Sequence, residues 1–267
     1  MKLTLSAYSY RDQLNGKDPA NALTLEELIV KCAEWGLEGV ELTSYYMPQP
    51  PTREYLLNLK RIAFLNGLAV TGLPIRTDFC QPPGEKRQEQ ISHTLAWIER
   101  AAWLGAPCIR IFAGGDYKGD VAQQRQWCAD SIRECLPAAA SHGVILALEN
   151  HGGIVPDAPN LLALADMIQS DWFGINLDTG NFRSDDPYRD IQTVAPRAVV
   201  AQVKTEIFQP DGKKVPADMD RVFTILRDAG YRGFVALEYE AAEPAPQAVP
   251  RELKRLQDVI ARVNRGV

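Results

Sequence analysis

Histidine is scarce in this 267-residue chain, with three in total, and no two of its five cysteines stand in the C-x-x-C spacing that chelates zinc or runs dithiol chemistry. The cysteines (Cys32, Cys80, Cys108, Cys128 and Cys135) are odd in number and scattered, and are read as reduced thiols. Cys128 and Cys135, seven apart, are expected on one buried helical face. Basic charge is not in excess either: 29 Lys and Arg against 34 Asp and Glu give a net charge of −5, which leaves no basic stripe for a polyphosphate and excludes nucleic acid as the partner. No apolar run approaches the ~20 residues of a membrane span, and Met1-Lys2 runs straight into LTLSAY with no signal-peptide hydrophobic segment. Membrane association is therefore not expected, and the protein is read as cytoplasmic. A glycine-rich phosphate loop is also missing, since the first strand is followed by Ser6-Ala7-Tyr8-Ser9-Tyr10-Arg11.

What is present is ordinary globular composition, 46% hydrophobic and 24% charged, long enough for one large α/β core. Short aliphatic or β-branched runs alternate with longer segments of helical apolar spacing. The strands expected are Leu3–Tyr8, Gly39–Leu42, Ala69–Ile75, Cys108–Ala113, Val144–Asn150, Gly174–Asp178, Val199–Lys204 and Phe234–Tyr239. The helices expected are Leu25–Trp35, Thr52–Asn66, Glu85–Leu104, Ala122–Ser141, Pro159–Ser170, Pro187–Val194, Met219–Ala229 and Arg251–Val263. Strand centres fall 25 to 39 residues apart, one βα unit each. Glycines follow several helix ends (Gly36, Gly67, Gly105, Gly143, Gly230), and Thr24-Leu25-Glu26-Glu27 reads as a capping box. Eight such repeats without a linker predict an α/β protein of one domain, residues 1–267, folded as a single (β/α)8 TIM barrel.

The chemistry should sit where the last four strands end. They read Leu148-Glu149-Asn150-His151, Leu177-Asp178, Gln202-Val203-Lys204 and Leu237-Glu238-Tyr239-Glu240. Because side chains alternate across a strand, one choice of parity points Glu149, Asp178, Gln202 and Glu238 into the barrel mouth and Leu148, Leu177, Val203 and Leu237 into the helix layer. Three converging carboxylates raise one another's pKa or hold a cation. An all-oxygen set suits a hard divalent ion, Mn²⁺ or Mg²⁺, with Co²⁺ or Zn²⁺ as alternatives.

The segments LALENHGG, NLDTGN, AQVK and ALEYE, with GVEL at residues 39–42, resemble the xylose isomerase-like TIM barrels of sugar isomerases and epimerases, a superfamily that includes tagatose 3-epimerase, hydroxypyruvate isomerase and inosose dehydratase relatives. The resemblance spans the chain. It implies metal ligation by Glu149, Asp178 and Glu238 and, at a position where the superfamily commonly carries His, by Gln202. It also implies Glu149 and Glu238 as the catalytic acid–base pair, moving a proton through a metal-stabilised cis-enediolate. A nuclease of the endonuclease IV type shares the fold, but its several zinc ions need more histidine than this chain has.

By position, His151, Lys204, Glu240, Tyr8, Arg11 and Arg76 are the candidate substrate contacts, with a sugar or keto-sugar as the small-molecule partner. Homo-oligomers are compatible with the sequence. His93 and His142 fall in helices and are read as structural. Trp35, Trp97, Trp103 and Trp127 are expected between helices and barrel, and Glu41 is expected in a structural hydrogen bond. Two other activities stay open beside isomerisation or epimerisation: a dehydratase of inosose or 3-keto-sugar type, and a non-catalytic sugar-binding barrel.

Overall fold

In a computed structural model describing residues 1–116 and 118–265, eight parallel strands alternate with helices around a nearly closed barrel. The barrel strands are β1 (Lys2–Ser6), β2 (Gly39–Glu41), β3 (Ala69–Gly72), β4 (Cys108–Phe112), β5 (Ile145–Glu149), β6 (Phe173–Asp178), β7 (Ala198–Val203) and, after a two-stranded hairpin, β10 (Phe234–Leu237). Their order, β3-β2-β1-β10-β7-β6-β5-β4, places first and last strands side by side, with Lys2 opposite Phe234. The seam between β3 and β4 is bridged just past the end of β3, where the Leu73 and Ile75 amides donate to the Cys108 and Arg110 carbonyls at 2.9 and 3.1 Å. The expected (β/α)8 barrel is the observed fold.

The helices form where apolar residues recur at helical spacing and a polar side chain caps the free amides. In α5 (Val121–His142), Cys128, Ile132, Cys135 and Ala139 lie fully buried at i, i+4, i+7 and i+11, one stripe against the strands. Each side chain of that size stabilises the barrel by about 1–3 kcal/mol on burial. The Thr24–Glu27 capping box forms on α2 (Leu25–Glu34), with both reciprocal bonds present. Thr52, Asp120, Asp157, Asp186 and Asp218 cap α3 (Arg53–Leu65), α5, α6 (Ala158–Ala165), α7 (Pro187–Val194) and α8 (Met219–Asp228) by accepting the amide of the third helical residue. All these caps lie in loops that follow strands, so positive helix ends encircle the mouth.

Several boundaries differ from those expected. Strand one stops at Ser6 and turns into a 3-10 segment, Ala7–Tyr10, followed by the short α1 (Arg11–Leu14). The stretch after β7, where no element was expected, folds as a hairpin of β8 (Glu206–Phe208) and β9 (Lys214–Pro216). The last helix, α9 (Ala245–Arg265), starts six residues earlier than expected because the helix continues through Pro250. Its first turn therefore takes in Pro246. No helix among the described residues is long and apolar enough to cross a membrane, and all five cysteines are buried free thiols.

Candidate active site at the mouth of the barrel

The parity inferred from sequence is the parity found. Glu149, Asp178, Gln202 and Glu238 are buried at the C-terminal ends of β5, β6, β7 and just beyond β10, while Leu148, Leu177, Val203 and Leu237 are fully enclosed on the opposite face. Strand register sets the arrangement, with Glu149 beside Asn176 and Asp178 beside Gln202. An inner cavity of about 170 Å³ opens here, lined by Tyr8, Tyr45, Arg76, Arg110, Phe112, Glu149, His151, Glu238 and Glu240. Tyr8, Tyr45 and Arg76 are shared with a wider outer cavity of about 550 Å³, which also reaches Arg11. His93 and Trp97, expected only as structural residues of α4 (Glu85–Leu104), line that outer part.

Two cations, Arg110 and Lys204, stand among the four carboxylates, and Glu149 Oε2 and Asp178 Oδ2 make no hydrogen bond. Glu149 Oε2 lies 2.7 Å from Nε of Arg110, and its other oxygen accepts from Nδ2 of Asn181 at 2.8 Å. Glu238 and Glu240 both accept from Nζ of Lys204, at 2.7 and 2.6 Å, and Asp178 Oδ2 stands 3.4 Å from the same ammonium. Asp178 Oδ1 accepts from the Gly180 amide, and its backbone is tied to Asn150 through a pair of side-chain bonds. Burial, with neighbouring Glu238 adding to it and Lys204 opposing, pushes the Asp178 carboxyl up to about 7. Burial likewise raises Glu149 in spite of Arg110. Burial alone would lower Lys204, but Asp178, Glu238 and Glu240 outweigh it and hold the ammonium charged. Burial also opposes ionisation of Glu240, yet Lys204 outweighs it and leaves that carboxyl below its usual range.

The remaining candidates are at the rim. His151 packs at a tilt against Phe112 with ring centroids 4.1 Å apart; desolvation there, then the charges of Arg110 and Lys204, hold its pKa below the ordinary imidazole value. The glycines after it explain its placement. Gly153 has φ +53°, and a Cβ there would come within 2.3 Å of the Gly114 carbonyl, so the His151 loop lies directly on the loop after β4. Arg76 and Arg110 both flank the Tyr45 ring, at 4.5 and 5.9 Å. Arg11 lies over Tyr8 and donates to the Tyr239 carbonyl at 3.0 Å.

Arg110 was not a candidate from sequence, because it sits inside the apolar run Cys108-Ile109-Arg110-Ile111. The available signal was a guanidinium at an inward-facing position of a barrel strand. Asn176 and Asn181 were also missed. The expected hydrogen bond to Glu41 exists and comes from Gln202 Nε2 at 2.8 Å.

That bond bears on the expected metal. With its amide nitrogen on Glu41, Gln202 turns its oxygen to Nδ2 of Asn176 at 2.7 Å, so the oxygen expected to ligate is already used. Lys204 stands between Asp178 and Glu238, and Arg110 stands against Glu149. Among the described residues no group of three His, Cys, Asp or Glu side chains is placed to hold a metal ion. The four side chains converge on the mouth as expected, and Glu149 Oε2 and Asp178 Oδ2 are buried there with no hydrogen-bond partner, so Glu149, Asp178 and Glu238, with the Gln202 amide oxygen turned from Asn176, are the residues that would hold a hard divalent ion.

A barrel with acidic strand ends around one cavity at its C-terminal face has the layout of a TIM-barrel enzyme site. The chain belongs to the xylose isomerase-like TIM barrel family, whose model matches residues 29–259. No curated protein matches it in sequence. Its fold is similar to that of D-psicose 3-epimerase from Clostridium cellulolyticum H10, solved with D-tagatose (18% identity, TM-score 0.78, covering 98% of this chain and 99% of that one). It is similar, too, to the IOLI protein with a bound zinc atom (18% identity, TM-score 0.78, 98% of each chain). A third likeness is to the probable 3-DHS dehydratase AsbF from Bacillus anthracis (21% identity, TM-score 0.73, 98% of this chain and 99% of that one).

Proposed function

We propose that this protein is a sugar isomerase or epimerase, acting on a sugar or keto-sugar by proton transfer between a glutamate and the carbon beside the carbonyl. The observation that carries this reading is the pair of carboxylates, Glu149 and Glu238, that line one small cavity, each held by a separate cation. The likeness to D-psicose 3-epimerase supports the same class, and the likeness to the probable 3-DHS dehydratase supports the lyase alternative.

In this reading one glutamate removes the proton from the carbon next to the carbonyl. The electron pair moves into the new C–C double bond and the carbonyl oxygen takes up negative charge, giving a cis-enediolate. Return of the proton to the former carbonyl carbon, with the adjacent hydroxyl passing its proton to the former carbonyl oxygen and becoming the new carbonyl, isomerises the sugar; return of a proton to the first carbon from the other glutamate, on the opposite face, epimerises it. Two buried carboxylates of unlike surroundings suit the exchange of acid and base roles. Tyr8, Arg76 and His151 present one aromatic face and hydrogen-bonding groups to the hydroxyls of the substrate, and Glu240 and Arg11 lie where its far end would reach.

A ketose and 3-keto-sugar panel incubated with the protein in D₂O and followed by NMR tests the assignment. Uptake of deuterium next to a carbonyl together with a new isomer is the expected result. A dehydrated product would move the protein to the lyases, and no exchange with any sugar would end the proposal.

A further inference from the structure

The barrel mouth is acidic at its floor, around Glu149 and Glu238, and basic further out, around Arg11 and Arg76. We propose that the outer cavity is an oxyanion subsite, so that the sugar bears a carboxylate or a phosphate at the end away from its carbonyl. The substrate class rests on the functional reading just given; the subsite does not.

Three cationic side chains, Arg11, Lys17 and Arg76, line the outer cavity of about 550 Å³, and Asp12 is the one carboxylate among its lining residues. Among the described residues, none of the three cations forms an ion pair with Asp12 or with any other carboxylate. The acids of the floor are matched to other cations, Glu149 to Arg110 and both Glu238 and Glu240 to Lys204. Positive charge that the protein leaves unmatched inside a concave wall attracts an anion from solvent. The strands bring these charges together. Both β1 and β3 pair with β2, so the chain ends that carry Arg11 and Arg76 flank the Tyr45 turn that follows β2.

Both guanidinium groups are held on aromatic rings. Arg76 packs over Tyr45 at 4.5 Å, and Tyr45 is itself fixed by accepting from Nη1 of Arg110 at 3.1 Å. Among the described residues the Arg76 guanidinium makes no hydrogen bond, so its whole donor edge is open to a ligand. Arg11 lies over Tyr8 at 5.4 Å and gives Nη1 to the Tyr239 carbonyl, which leaves Nε and Nη2. A planar fork fixed in this way matches two oxygens of a carboxylate or a phosphate, and Lys17 adds a point charge. Tyr8, Tyr45 and Arg76 line both cavities, whereas Arg11 and Lys17 line only the outer one of the two. The anion therefore lies beyond the two tyrosines from the reacting carbons, as a terminal group of the sugar and not a substituent beside its carbonyl.

Calorimetry on the full chain, with no added metal, compares three unreactive ligands: sorbitol, gluconate and sorbitol 6-phosphate. At least one of the two anions is expected to bind tenfold or more tightly than sorbitol, and whichever does so identifies the terminal group. That gain is expected to fall at least fivefold in Arg76→Gln and in Arg11→Gln. Equal binding of all three ligands, no binding of any, or a gain that both variants keep overturns the subsite. Should a variant not fold, the wild-type comparison alone decides. Exchange in D₂O separates this proposal from the reaction: keto-sugars with a terminal anion are expected to exchange at a higher kcat/KM than their neutral counterparts. Neutral ketoses exchanging as well or better overturn the subsite and leave the isomerase, whereas tighter binding of an anion without exchange from any sugar supports the subsite and ends the isomerase reading.

Discussion

Replacing Arg110 with Met would leave Glu149 buried, 2% exposed, with the Asn181 amide as its remaining hydrogen bond. Removing one partner of a buried ion pair typically destabilises by about 3–5 kcal/mol, and the Ile75 carbonyl would lose its guanidinium donor as well. For a domain of this size each kcal/mol lowers Tm by roughly 2–4 °C, so a fall on the order of 10 °C is expected at neutral pH. The loss should depend on pH in one direction. Without the guanidinium the Glu149 carboxyl is pushed still further up, so it folds readily when protonated and poorly when ionised; the deficit is smaller at pH 5 and larger at pH 8. Thermal unfolding of Arg110→Met, Glu149→Gln and the double variant measures it. The double variant, with neither charge, is expected to recover at least half of the loss. A single variant less than about 1 kcal/mol below wild type, or a double variant no better than the single, would refute the claim that this pair is energetically coupled in the barrel.

The Asp178 carboxyl, raised to about 7 from an ordinary 3.8, binds its proton more tightly folded than unfolded. The stability it lends is therefore complete below pH 3.8 and lost as pH climbs through 7, so Tm of the ligand-free protein should fall between pH 5 and 8, and less steeply in Asp178→Asn. Gly153→Ala forces a left-handed backbone on a residue with a Cβ, at about 1–3 kcal/mol, and pushes the His151 loop off Gly114; calorimetry should show weaker binding of a reactive ketose as well as a lower Tm. Thr24→Ala removes the α2 capping box, and chemical denaturation should report a loss of about 1 kcal/mol with activity unchanged.

The barrel and the parity of its strand ends were legible because both rest on periodicity. Leu148-Glu149 and Leu237-Glu238 each pair an apolar side chain with an acidic one, and only one orientation buries the first of each pair. The glycines after the helices were equally plain, since Gly105 and Gly143 adopt φ of 78° and 67° as helix ends require. The hairpin at residues 206–216 carried a signal that was passed over. Asp211-Gly212 stands between two short runs, and Gly212 turns the chain at φ 81°. What periodicity does not contain is the partner of each polar group. Nothing in Cys108–Phe112 says that Arg110 reaches Glu149 across neighbouring strands, and nothing in Gln202 says which end of its amide meets Glu41. The direction of Lys204 was likewise open, because its choice among Asp178, Glu238 and Glu240 depends on three loops packing together.

The most direct test of the proposed chemistry follows a reactive ketose in D₂O with wild type, Glu149→Gln and Glu238→Gln. Wild type should exchange the hydrogen next to the carbonyl, and both glutamine variants should bind the sugar yet lose that exchange by at least a hundredfold. Exchange at the wild-type rate in Glu238→Gln would contradict the two-glutamate site.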